Sequence, residues 1–152
     1  PKNYYITSGI GKDVDKLVAF DNALISANIS NFNLVKISSI LPPNCTKTNF
    51  VRSQLGSPLL TAYGTISSNI SGTTISSAIA IGIPKSETDI GVIMESSGFE
   101  SAKITEERVR NMVKKAMKNH KIDCVDIVSS SVECVIDENG IYSTCISAVV
   151  LF

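Results

Sequence analysis

Tryptophan is absent, and histidine occurs once, at His120. Any Ser-His-Asp triad would have to use that single residue. The four cysteines, Cys45, Cys124, Cys134 and Cys145, include no CxxC pair. With one histidine they make no recognisable zinc site, so no metal is expected. Fourteen Lys plus Arg balance fourteen Asp plus Glu. The basic excess of a general nucleic-acid or anionic-membrane binder is therefore missing, and neither partner is expected. No apolar run reaches the ~20 residues of a membrane span. The segment Pro1-Lys2-Asn3-Tyr4-Tyr5 lacks the layout of a signal peptide. We accordingly expect a cytoplasmic chain with free thiols rather than disulfides, in which the glycosylation sequons at Asn28, Asn44 and Asn69 carry no meaning.

What is present is a chain of 152 residues, 43% hydrophobic and 18% charged. That is one domain able to bury its own core. A mean hydropathy of +0.20 with no net charge points to surface covered in an oligomer.

Tyr4–Ser8 reads as a short strand closed by a turn at Ser8-Gly9-Ile10-Gly11. The Gly9-Ile10-Gly11-Lys12 stretch lacks the GxxxxGK[ST] spacing of a phosphate loop. Asp13 is placed to cap a helix over 14–29, with Val14, Leu17, Val18, Leu24 and Ile25 on one face. Residues 32–38 alternate as a strand, which Pro42-Pro43 ends. Residues 44–58 form a long loop. Strands follow over 59–67, 73–83 and 89–95, the middle one patterned for burial on both faces. The helix over 103–120 repeats Val109, Met112, Val113, Ala116 and Met117 at helical spacing, with Ser101 or Thr105 as its cap. Strands 124–136 and 142–152 flank Asn139-Gly140, a hairpin signal. Hairpin-linked strands with two helices predict an α+β domain.

Three places disobey these patterns, which is where function tends to sit. Asp21 is three residues from Val18 and Leu24 and four from Leu17 and Ile25, a carboxylate within the helix's apolar stripe. It is either paired to a Lys or to backbone, or kept for a cationic ligand. An isolated buried carboxylate is costly, and a guanidinium is its best bidentate partner. Glu95 ends the run Ile90-Gly91-Val92-Ile93-Met94. It is either an exposed strand-end charge or a general acid at a pocket mouth, its pKa raised by apolar neighbours. Ser38-Ser39 stands at a strand end before Ile40-Leu41-Pro42-Pro43, in a chain rich in serine pairs. Asn33 shares a strand face with Val35 and Ile37.

Taken together, several blocks resemble the pyruvoyl-dependent arginine decarboxylases. They are Ala19-Phe20-Asp21-Asn22-Ala23-Leu24, Ser30 to Pro43 with its Asn-x-Asn strand and Ser-Ser-Ile-x-Pro-Pro, Thr61-Ala62-Tyr63-Gly64, Ile83-Pro84-Lys85, Val92-Ile93-Met94-Glu95 and Val109-Arg110-Asn111-Met112. The likeness runs over most of the chain in the family's order. It implies a four-layer αββα sandwich of mainly antiparallel sheets flanked by helices. It also implies self-cleavage between Ser38 and Ser39 into a small chain, 1–38, and a large chain, 39–152, that stay associated.

By the resemblance, the Ser39 hydroxyl attacks the Ser38 carbonyl to make an ester. β-Elimination then leaves dehydroalanine at 39, and loss of ammonia gives a pyruvoyl group. That covalent group, not pyridoxal phosphate or a metal, would form a Schiff base with the amine of arginine and take up electrons as CO2 leaves, giving agmatine. Glu95 would protonate the carbanion carbon, and Asn33 would assist beside the pyruvoyl. Ser38, Leu24 and Ile40 would line the pocket, and Asp21 would bind the guanidinium. Homotrimers, or dimers of trimers, with sites between subunits are implied. The alternatives are a pyruvoyl decarboxylase of another amino acid, or an unprocessed relative that acts as a binding subunit.

Overall fold

The computed structural model describes residues 1–152. Nine strands and two helices follow in the order β1 (Asn3–Asp13), α1 (Lys16–Ser26), β2 (Asn33–Lys36), β3 (Ile40–Leu41), β4 (Thr46–Lys47), β5 (Pro58–Ser68), β6 (Thr74–Pro84), β7 (Gly91–Gly98), α2 (Ala102–Asn119), β8 (Cys124–Val135) and β9 (Tyr142–Leu151). The fold is α+β. One sheet runs β2-β5-β9-β1-β4 and the other β3-β7-β6-β8. Most pairings are antiparallel, but the two edge strands β2 and β4 pair in parallel with β5 and β1.

Strand alternation sends successive side chains to opposite faces, and this builds three apolar seams between four layers. Ala23, Leu24 and Ala27 of α1 meet Tyr5, Leu59, Ile146, Ala148 and Val150 of the first sheet. Tyr4, Ala62, Val149 and Leu151 meet Ile79, Ile81 and Ile93 between the sheets. Ala78, Ala80 and Val92 meet Val109, Val113 and Met117 of α2. β6 is buried along most of its length, as its mixture of small and branched residues predicts. Ser101 caps α2, its side chain accepting from the Ile104 N–H.

Local expectations fail at three places: β1, α1 and the Asn139-Gly140 turn. No turn interrupts β1 at Gly9-Ile10-Gly11. The strand continues, and the glycines let α1 lie directly on it. A Cβ on Gly11 would sit 2.2 Å from the Ala19 carbonyl oxygen, and one on Gly9 2.4 Å from that of Ala23. The face of α1 turned inward is therefore the small one, Ala19, Ala23 and Ala27, with Leu24. The bulky stripe Val14, Leu17, Val18 and Ile25 is exposed, Leu17 at 78%. Helix α1 is also shorter than the 14–29 expected. Asp15, not Asp13, stands at its N-cap and makes no side-chain cap bond. Asp13 instead accepts from the Asp15 N–H.

The last failure is the hairpin at Asn139-Gly140. β8 and β9 lie in different sheets, so this turn, with Gly140 at φ +85°, carries the chain across the sandwich. The reach between sheets, not the local turn signal, decided the pairing.

Candidate active site

Ser38-Ser39 occupies a second crossing between the sheets. β2 is the edge of one sheet and β3 the edge of the other. Ile37 is still held to the first, its N–H donating to the Thr61 carbonyl at 3.1 Å. Ser39 already belongs to the second, its carbonyl accepting from the Ile93 N–H at 2.7 Å. The Ser38–Ser39 peptide is thus the link between two anchored ends. Ser38 is exposed and Ser39 half-buried. The Ser38 carbonyl and the Ser39 N–H make no backbone hydrogen bond. Neither residue has a positive φ, and no peptide bond is cis. The central groups of this crossing are left free of backbone bonds.

Glu95 lies on β7, two residues beyond Ile93 and on the same face. It pairs in register with Ile79 of β6, so its side chain points between the sheets. There it meets Gly64 of β5, where a Cβ would come within 3.3 Å of the Glu95 Cβ and Cγ. Gly64 thus keeps the space that the carboxyl arm occupies, and its carbonyl is fixed by the Ser77 hydroxyl at 2.8 Å. Burial raises the Glu95 pKa above the ordinary carboxylate value, and the Lys36 ammonium partly opposes the rise. Lys36 itself lies 4.7 Å over the Tyr63 ring. The upward direction agrees with an acid that keeps its proton. None of the cavities of the single chain is lined by Glu95.

The remaining candidates are dispersed. Asn33 is at the opposite end of β2 from Ser39, and its Nδ2 donates to the Gly56 carbonyl at 2.8 Å, tying down the 44–58 loop. Leu24 is buried in the α1 seam. Ile40 is 36% exposed and pairs with Val92. Asp21 is exposed on the outward stripe of α1, and no cation of the chain pairs with it. It is neither paired to a Lys nor buried. One chain brings Ser39 close to the strand of Glu95, but it does not bring Asp21 or Asn33 to them.

Residues 3–152 match the family described as pyruvoyl-dependent arginine decarboxylase. The chain belongs to the pyruvoyl-dependent arginine decarboxylase family. It is 38% identical over 140 residues to the pyruvoyl-dependent arginine decarboxylase of Methanococcus aeolicus, covering 92% of this chain and 85% of the relative. The protein of that name from Methanocaldococcus jannaschii is 37% identical with the same coverage. The one from Thermococcus kodakarensis is 34% identical over 153 residues, covering 100% of this chain and 96% of the relative.

The cofactor of the pyruvoyl-dependent arginine decarboxylases is a covalent pyruvoyl group. The surroundings of residue 39 fit such a group. Were residue 39 to carry it, the nitrogen that would leave makes no backbone hydrogen bond, and the carbonyl that would stay accepts from the Ile93 N–H. No cluster of His, Cys, Asp and Glu is arranged to hold a metal. No helix is long and apolar enough to cross a membrane. Sequence reasoning missed Ile93, Gly64, Ser77 and Lys36. The contribution of Ile93 is a backbone N–H and leaves no trace in residue type. Gly64 was visible only as part of Thr61-Ala62-Tyr63-Gly64.

Proposed function

We propose that this chain cleaves itself between Ser38 and Ser39, converts residue 39 to the pyruvoyl group and decarboxylates L-arginine to agmatine and CO2. The observation that carries the proposal is the Ser38–Ser39 link, free at its centre and anchored to a different sheet on each side, in a chain of this family. Cleavage there leaves 1–38 with β1, α1 and β2, and 39–152 with the other strands and α2. The ten-residue register of β1 on β9 and that of β2 on β5 would keep the two pieces together.

The bound pyruvoyl supplies a ketone for the substrate amine and an electron sink for the departing CO2. The chain's own groups supply position and protons. Glu95, whose pKa is raised by burial, delivers a proton to the carbon that loses CO2. Asp21 receives the guanidinium as a bidentate, charge-assisted pair. Asn33, Ser38, Leu24 and Ile40 complete the site as the family resemblance assigns them.

Asp21 reaches Glu95 only if a second copy supplies it. The apolar stripe of α1 that surrounds Asp21 is a surface in want of a partner. Assembly as a trimer, or a dimer of trimers, with Asp21 of one copy completing the site of the next, accounts for both. We place the enzyme in the cytoplasm, in keeping with its four free cysteines.

Denatured mass and CO2 release from arginine, lysine and histidine test the proposal. Two pieces meeting at residues 38 and 39, with release from arginine foremost, support it. Cleavage with preference for another amino acid would move the substrate. An intact, inactive chain would overturn it in favour of a binding subunit.

A further inference from the structure

The Ile93 N–H donates to the carbonyl oxygen of residue 39 at 2.7 Å. That is at the short end of the N–H···O range. It is the only backbone hydrogen bond on residue 39, and it lies one step beyond the short ladder of β3 on β7, where Ile40 faces Val92 and Leu41 faces Gly91. Ile93 is fully buried in the seam between the sheets, so the donor sits where water is excluded and a hydrogen bond to a charged oxygen is strong.

On the reading that residue 39 carries the pyruvoyl group, this oxygen is conjugated with the reacting ketone carbon. We infer that the Ile93 backbone N–H is a catalytic group, an oxyanion donor for the electrons released in decarboxylation. The Cα–carboxylate bond of arginine breaks, and its electron pair spreads through the conjugated system onto the residue-39 oxygen. The pair returns to that carbon when Glu95 delivers its proton. Charge therefore grows on the oxygen that Ile93 already holds, in a site that needs no reorganisation. The same bond keeps the carbonyl in place during self-cleavage, while the free nitrogen of residue 39 departs.

The test replaces Ile93 by its α-hydroxy acid analogue, introduced by nonsense suppression. This keeps the buried side chain and exchanges the N–H for an ester oxygen. The same exchange at Met94, whose N–H alternates toward β6, is the control for loss of any backbone bond. The wild type is measured first. If it neither cleaves nor releases CO2, the functional proposal fails by itself.

With an active wild type, kcat per pyruvoyl should fall about 10- to 100-fold in the Ile93 ester, with KM little changed, and much less in the Met94 ester. With carbonyl-labelled [13C]serine, the resonance of the carbonyl beside the ketone should move upfield in the Ile93 ester only. A kcat within twofold of wild type and an unmoved resonance would overturn the inference.

If the Ile93 ester stays uncleaved, the wild type decides. In its pyruvoyl form the Ile93 15N should couple across the hydrogen bond to the 13C carbonyl of residue 39, and the absence of that coupling would overturn the inference equally.

Discussion

The two helices cover opposite faces of the sandwich and do so by opposite means. α2 buries Val109, Val113 and Met117 and turns its lysines and Glu107 to solvent. α1 buries alanines against glycines and turns Leu17, Val18 and Ile25 outward. α2 is a finished surface. α1 is half of one, and the single unpaired carboxylate on it is Asp21. The lesson is that an amphipathic stripe reports which face of a helix is covered, but not whether the cover belongs to the same chain.

The contrast breaks most completely at Gly11. In Gly11→Ala the new methyl would drive into the α1 backbone, which cannot yield. We expect loss of the folded state, or at least about 4 kcal/mol in urea unfolding. The matching change under α2, Gly82→Ala, meets only the Val113 and Met117 side chains at 2.7 and 2.8 Å. About 1–3 kcal/mol is expected there. Equal costs at the two positions would erase the distinction between the helices.

Next come the outward faces. Leu17→Ser should leave the stability of the isolated chain within about 0.5 kcal/mol while lowering the oligomeric state on dilution, read by sedimentation. Lys114→Ser on α2 should change neither the stability nor the oligomeric state. Asp21→Asn removes a charge-assisted bond worth about 1.5–3 kcal/mol. It should raise KM for arginine on the order of 10-fold or more, with self-cleavage by mass intact. An unchanged KM would remove Asp21 from the site.

The smallest effect concerns Glu95. Burial holds its pKa up and Lys36 holds it down. An acid must carry its proton, so kcat should fall as pH rises through the raised pKa. Lys36→Gln removes the opposing cation, so that fall should move to higher pH. A shift to lower pH would contradict the assignment.

The fold was legible wherever local pattern and tertiary demand agree. α2 and β6 followed their periodicities, as consistent sequences do. β1 was misread because Gly9 and Gly11 serve a helix that packs on them, and a turn uses the same residue. Asn139-Gly140 was misread because a tight turn can join two sheets as well as two paired strands. Of the residues proposed for the site, Glu95 and Asp21 stand out in the sequence by breaking an apolar pattern. The environment of Glu95 was right in direction. That of Asp21 was inverted, because the stripe it interrupts faces out. Ser38-Ser39 was readable only through family likeness, since a serine pair says nothing of the two sheets it joins. The Ile93 N–H was beyond reach, being backbone.

The central claim is that the Ser38–Ser39 link is a cleavage site poised between the two sheets, and the denatured mass of the purified protein tests it most directly. Two fragments, 1–38 and 39–152, the larger with an N-terminus blocked by a carbonyl, are the result expected. A single chain of 16.3 kDa that stays intact on prolonged incubation would contradict it.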